Sequence, residues 1–425
     1  MRLYNTLTRS LEELPPSPGP IRMYFCGPTV YQRAHIGNAR PFVVGMWLRS
    51  WLRSRGYDAK LVHNITDVND KIYDAAPGAS AELAARATQW YLEDVRDLGL
   101  GDADAYPQAT QFVPQIVSFI ERLVASGHAY SVDGDVYFRV GSIPDYGRLS
   151  RQRVDQMEEE EEANALKEAP QDFALWKATK PGEDTSWPSP WGTGRPGWHI
   201  ECSAMARAAF GPAFEIHGGG LDLVFPHHEN EIAQSHARGD EFAKIWMHNG
   251  MLSFGGEKMS KSLGNDRSLR NVLDTWGREV VLLFFLTAHW RKPIDFNDDT
   301  LAQAKAQVDS FREFLRSADA AAPVEQERLA AVLDDDFNTP EALALFHDWR
   351  RRGLAADLRE GLSVFGLASL GEGEHAPPEV VRLAEARQRA RAERDFGEAD
   401  RLRDEIAALG WEVRDVAAGF ELVAR

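Results

Sequence analysis

Residues 20–65, PIRMYFCGPTVYQRAHIGNARPFVVGMWLRSWLRSRGYDAKLVHNI, decide the architecture. The apolar run 21–25, rich in aromatics and closed by Cys26-Gly27-Pro28, predicts a buried strand. After a loop, His35-Ile36-Gly37-Asn38 opens a long amphipathic helix. Its apolar residues Val43, Val44, Trp47, Leu48, Trp51 and Leu52 keep helical spacing until Gly56 ends it. Pro41 is expected in the first turn, where a missing N–H is tolerated. Residues 60–65 form the next expected strand. Strand, loop, helix, strand is the first half of a parallel nucleotide-binding sheet, which makes the fold class α/β.

From about Gly101 the pattern changes. Residues 112–126 read as a helix leading into a hairpin through Asp133-Gly134. A polar stretch and a group of tryptophans among prolines and glycines (Trp176, Trp187, Trp191, Trp198) follow. This reads as an insertion into the sheet domain, and strands at 214–217, 245–249 and 251–254 are expected to rejoin it. Beyond Leu301 the chain reads as helical, with a linker at 371–378, an Arg/Glu/Ala-rich helical pair and a short end segment.

With 425 residues, 44% of them apolar, the chain suggests two to four domains. No apolar run is long enough to span a membrane, and the first residues lack a signal-peptide pattern. Two cysteines make no disulfide framework, so a cytoplasmic, reducing setting is expected. A formal net charge of -17 argues against indiscriminate coating of nucleic acid but leaves room for a specific RNA. The acidic run 158–162 reads as a solvated face; the arginines at 350–352 and 382–394 are the candidate basic surfaces.

Three stretches carry chemistry. In GPAFEIHGGGLDLVFPHHENE (211–231), His227 and Glu231 are four apart, so on a helix they share a face. With Cys26 and Cys202 they can complete a four-ligand zinc site. Spacing leaves another reading open: two buried small apolar cysteines and a histidine pair capping a helix. The 35–38 tetrad meets a helix N-terminus, where backbone N–H groups favour phosphate, and Gly37 would let an adenine ring approach. Ordinary capping by His35 is the plainer alternative. Lys258-Met259-Ser260-Lys261-Ser262 follows a glycine turn and puts two ammonium groups where they could neutralise a polyphosphate; a solvated surface loop has the same spacing.

Taken together, these words resemble the class I aminoacyl-tRNA synthetases, in detail the cysteinyl branch. The resemblance also includes residues 25–31 (FCGPTVY), 64–71 (NITDVNDK), 194–203 (GRPGWHIECS) and 334–340 (DDDFNTP), and so spans nearly the whole chain. It implies a Rossmann-like parallel-sheet catalytic domain (1–100 and 195–255) with an α+β insertion (101–194). A lysine-loop and stem-contact region (256–310) follows, then an α-helical C-terminal part: an anticodon-binding-type domain (311–370) and a small domain (378–425). It implies zinc on Cys26, Cys202, His227 and Glu231, reading the thiolate of L-cysteine, with Gly27, Thr66 and Trp198 around the amino acid. ATP, with Mg2+, would meet His35, Gly37, Asn38, Gly218, Gly219, Gly220, Asp222, Lys258 and Lys261. His35, Asn38, Lys258 and Lys261 would be catalytic, tRNA(Cys) the acceptor, and the protein a monomer. A metal–sulfur bond discriminates against serine without an editing domain.

The chain departs from the family pattern in Asn38, where many relatives have histidine, in a shorter helical part between 340 and 366, and in lacking a final tryptophan. Two rivals follow: a cysteine ligase that transfers to an amino sugar, as in the mycothiol pathway, and a non-catalytic sensor. The Arg/Glu/Ala helices after Gly371 favour tRNA, and the intact His35, Lys258 and Lys261 favour catalysis.

Overall fold

The computed structural model describes residues 1–153, 166–254, 267–316, 322–371, 377–416 and 419–424. An antiparallel pair, β1 (Arg2–Asn5) and β2 (Ser10–Glu13), precedes the main sheet. β3 (Pro20–Phe25), α1 (Ile36–Ser54) and β4 (Asp58–His63) follow as expected, with β3 and β4 parallel and Phe25 opposite His63. Pro41 is a correction. It lies in the second turn of α1, where it withholds the N–H that the Gly37 carbonyl would otherwise accept.

Helices α2 (Asp70–Ala75), α3 (Ser80–Asp97) and α4 (Val113–Ala125) lead to a separate antiparallel sheet. Its strands β5 (Ala129–Val132), β6 (Asp135–Phe138), β7 (Phe173–Ala178) and β8 (Gly194–Pro196) lie in that order. Asp133 and Gly134 turn the first hairpin with φ of 50° and 90°, the left-handed pair that a two-residue hairpin turn requires.

The chain then rejoins the main sheet through α5 (Trp198–Phe210), β9 (Ala213–Gly220), α6 (Glu229–Arg238) and β10 (Phe242–Asn249). All four strands run parallel in the order β10-β9-β3-β4. A crevice outside the carboxyl ends of such strands is where ligands bind. The expected strand at 251–254 is shorter and stands elsewhere: β11 (Leu252–Ser253) pairs with β12 (Ile294–Asp295). The cause is Gly250, whose N–H bonds the Trp290 carbonyl and where a side-chain carbon would fall 2.1 Å from the Lys292 carbonyl oxygen. That contact draws the chain off the sheet.

The remainder is helical: α7 (Leu269–Trp276), α8 (Arg278–Leu286), α9 (Asp298–Arg316), α10 (Gln326–Leu333), α11 (Thr339–Arg352) and α12 (Ala355–Val364). One apolar core runs from the sheet through α1 into these helices. Trp47, buried in it, donates to the Phe365 carbonyl, and Trp51 donates to Asp334; truncating a tryptophan so placed costs about 3–5 kcal/mol. Helices α13 (Pro378–Ala392) and α14 (Phe396–Ala408) and the hairpin β13 (Trp411–Val416) and β14 (Gly419–Ala424) enclose a small core of their own around Val380, Ala384, Ile406 and Val413. Among the described residues, no helix is long and apolar enough to cross a membrane.

Candidate active site

Four side chains far apart in sequence meet beneath the carboxyl ends of the sheet. Cys26 leaves β3 with its N–H on the Gly218 carbonyl; Cys202 lies on α5 and Glu231 in the first turn of α6. His227 belongs to the kinked turn Val224–His228 just ahead of α6 rather than to the helix, yet the expected pairing survives, with Nε2 3.1 Å from Glu231 Oε1. Cys26 Sγ is 3.7 Å from Cys202 Sγ and 3.5 Å from Glu231 Oε1. All four ligand atoms lie within 4.8 Å of one another, and all four residues are buried.

Burial dominates their electrostatics. It raises both thiols, Cys26 farthest, and raises the Glu231 carboxyl. It pushes His227 well below the usual imidazole value, with His199 and His217 adding to the effect. Among the described residues, the groups that meet Glu231 are imidazoles and a thiol, neither a lysine nor an arginine. Two sulfurs, one imidazole and one carboxylate are a tetrahedral zinc donor set, and a dication would supply the charge that the carboxylate lacks. The residues fit the metal.

Reading the sequence missed the imidazoles around this set. His217 Nε2 lies 2.9 Å from Glu231 Oε2, and its ring rests flat on Trp246 at 4.5 Å. His199 meets His227 Nδ1 to Nδ1 at 3.0 Å. His228 Nδ1 lies 2.7 Å from His248 Nε2, and His248 Nδ1 is 2.8 Å from Thr6 Oγ1. Cys26, His217, His228 and Glu231 form a second cluster of metal-ligand spacing. His217 and His228 were signalled only by standing beside the glycine run and beside His227.

A cavity of about 420 Å³ opens above the cluster. Cys26, Gly27 and Trp198 border it, as do His35, Gly37 and Asn38, and Gly220 with Asp222. Trp198 is stacked on His227 with ring centroids 4.3 Å apart. His35 caps α1: its Nδ1 accepts the Gly37 N–H at 3.1 Å, while Asn38 Oδ1 accepts the His35 N–H at 3.2 Å. The plainer capping role is therefore real, and it has a chemical consequence. With Nδ1 accepting, the ring proton sits on Nε2, which makes that atom a donor at a helix N-terminus.

Three other expected residues, Thr66, Gly218 and Gly219, are not on the cavity wall. Thr66 is buried behind it, with its backbone bonded to Pro28 and Val30. Gly218 and Gly219 are packing glycines in β9: a side-chain carbon would lie 2.4 Å from the Phe25 ring and 2.8 Å from Leu223, respectively. Lys258 and Lys261 lie outside the described residues. Arg40 was not foreseen. Buried on α1, it donates to the carbonyls of Gly250, Lys292 and His289 at 2.5, 2.9 and 3.0 Å, and burial lowers its pKa to about 10.

Residues 13–306 match the family model described as "tRNA synthetases class I (C) catalytic domain", and residues 374–420 match the "Cysteinyl-tRNA ligase anticodon binding domain". The anticodon-binding description thus falls on α13, α14 and the start of the terminal hairpin. The cysteine–tRNA ligase of Symbiobacterium thermophilum is 42% identical, covering 99% of this chain and 98% of that protein. That of Laribacter hongkongensis is 44% identical at the same coverage. Among solved structures, Mycobacterium tuberculosis methionyl-tRNA synthetase in complex with methionyl-adenylate superposes with a TM-score of 0.58 at 14% identity, over 83% of this chain and 90% of that one. The Agrobacterium radiobacter K84 LeuRS–tRNA–LeuAMS complex gives 0.55 at 12% identity, over 84% of each. These two establish the shared fold; with the family models and the two ligases, the chain belongs to the cysteine–tRNA ligase family of class I tRNA synthetases.

Proposed function

We propose that this chain activates L-cysteine with ATP, forming cysteinyl-adenylate and pyrophosphate, and transfers the cysteinyl group to the 3′ end of tRNA(Cys). The observation that carries the reading is a single cavity bordered at one end by Cys26 and Trp198 and at the other by the His35-capped start of α1. An amino acid held at the first end would present its carboxylate toward a phosphate held at the second.

Cys26, Cys202, His227 and Glu231 would hold zinc, which when bound offers a soft Lewis acid to the substrate's sulfur and a poor match to serine's hydroxyl. Trp198 covers the amino-acid end, with Gly27 beside it and Thr66 supporting that wall from behind. His35, through Nε2–H, and Asn38 stabilise charge on the α-phosphate as the carboxylate attacks and pyrophosphate leaves. Gly37, Gly220 and Asp222 border the nucleotide, with Gly218 and Gly219 shaping that wall from behind. Lys258 and Lys261, with Mg2+, neutralise the polyphosphate. No side-chain nucleophile is required, because positioning and charge stabilisation carry the step. In the second step a ribose hydroxyl of the terminal adenosine attacks the acyl carbon and AMP departs.

Helices α9 to α12 and the domain from residue 378 would engage the tRNA, on a cytoplasmic monomer. The exposed Arg382, Arg389 and Arg394 have no carboxylate partner among the described residues, which suits a phosphate backbone. The deciding experiment gives purified protein cysteine, ATP and either tRNA(Cys) or glucosaminyl-inositol. Charging of the tRNA is expected; charging of the amino sugar would establish the rival ligase, and no cysteine-dependent ATP–pyrophosphate exchange would leave only a sensor.

A further inference from the structure

The cavity has a third side that activation leaves unused. It crosses the carboxyl ends of the strands, whose order is β10-β9-β3-β4. Gly220 and Asp222, after β9, and Asn249 and Gly250, at the end of β10, lie on one side of β3. Lys71, on α2 after β4, borders the cavity from the other side. Adjacent strands are about 4.8 Å apart, so β4 stands roughly 14 Å from β10. Tyr31 joins Lys71 there, because the loop that carries it is pinned to the β4 side by the Thr29–Thr66 bridge.

The charge on this side is unbalanced. Arg33 pairs with Asp94 at 2.7 Å, Lys177 with Asp70 at 3.2 Å, and Arg195 with Asp70 and with Glu183. The exposed Lys71 meets no carboxylate among the described residues, although Asp70 precedes it in the chain. Its ammonium stands 5.9 Å from the centre of the half-buried Tyr31 ring. A cation beside an aromatic ring matches an unpaired nucleotide, which presents a phosphate and a stackable base within a few ångströms.

We infer that Lys71 and Tyr31 receive the single-stranded 3′ end of the acceptor RNA, Lys71 binding a phosphodiester oxygen and Tyr31 stacking on a base. The assignment rests on the function proposed above and names the residues that guide its second substrate. The competing anion is pyrophosphate in the first step, which would place Lys71 in activation instead.

Full-length Lys71→Gln and Lys71→Arg separate the two, assayed for cysteine-dependent ATP–pyrophosphate exchange and for charging of a tRNA(Cys) transcript over a salt series. In Lys71→Gln, charging should fall about tenfold more than exchange through a raised KM for tRNA, as loss of one charged hydrogen bond implies. Its salt slope should flatten by about 0.7, one single-strand phosphate contact, and Lys71→Arg should recover most of both. Parallel loss of exchange and charging, an unchanged salt slope, or an arginine variant no better than glutamine would each overturn the assignment. Wild-type protein without cysteine-dependent exchange would overturn the underlying function instead, so the two failures are distinguishable.

Discussion

Glu231 and His217 are joined through one carboxylate oxygen, Oε2, at 2.9 Å, which leaves Oε1 to face His227 Nε2 at 3.1 Å and Cys26 Sγ at 3.5 Å. His217 is itself held flat against Trp246. The carboxylate is therefore aimed before any cation arrives, and a buried partner of this kind sets both ligand orientation and basicity.

His217→Ala should accordingly weaken metal retention by roughly tenfold or more while sparing the four ligands. Competition between the purified protein and a chromogenic zinc chelator measures it. Retention equal to wild type would remove His217 from any role toward the metal.

Arg40 offers a test of how the sheet end is held. Three backbone carbonyls from residues 250, 289 and 292 converge on its guanidinium, and a pKa of about 10 keeps it charged at neutral pH. Arg40→Met would strand the Gly250 and Lys292 carbonyls, since that of His289 also accepts the Lys292 N–H, at a cost of about 3 kcal/mol. Gly250 also borders the cavity, so the KM for ATP should rise with the loss. Urea midpoints and ATP kinetics on one preparation check both expectations, and Arg40→Lys should recover only part, since a point charge cannot span three acceptors.

His63 makes stability depend on pH. Its ring is fully buried, with Nε2 2.5 Å from Tyr91 Oη, and burial lowers its pKa from 6.5 to about 4. A lowered value means the neutral ring's contribution is complete above pH 6.5 and is lost as the pH falls from there through about 4. At pH 5 that loss is about 2 kcal/mol from this residue. His199 and His248, both lowered to about 3, act in the same direction. His63→Gln should flatten the acid limb between pH 7.5 and pH 5 in urea titrations; an unchanged limb would assign it to other groups.

Lys261→Ala should slow adenylate formation about a hundredfold, the usual loss of a charge-stabilising group, and leave the KM for cysteine close to wild type. Single-turnover formation of cysteinyl-adenylate reads the first, and steady-state exchange the second. A defect confined to cysteine affinity would count against its role.

Much of the fold was legible in the chain because burial and period are local properties. The aromatic strand at 21–25, the helix closed by Gly56 and the Asp133-Gly134 hairpin each announce themselves within a few residues. The four metal-ligand candidates were legible for a different reason: Cys26 and Cys202 are the chain's two cysteines, and His227 and Glu231 stand four apart in a distinctive word. The glycine run misled in part. Gly218 and Gly219 answer to the close approach of Phe25 and Leu223, and a glycine needed for packing reads the same as one needed for a ligand.

By itself, the sequence determined the α/β class, the first strand–helix–strand unit, the family resemblance and the set of polar residues available for chemistry. Only the tertiary structure decided which of those residues meet. Cys26 reaches Cys202 across 176 positions, Arg40 reaches Gly250 across 210, and His217 selects one oxygen of Glu231. Crossovers between parallel strands bring such groups together, and no local pattern records where a crossover lands. The charge imbalance at Lys71 became visible in the same way, once Asp70 was seen to be taken by Lys177 and Arg195.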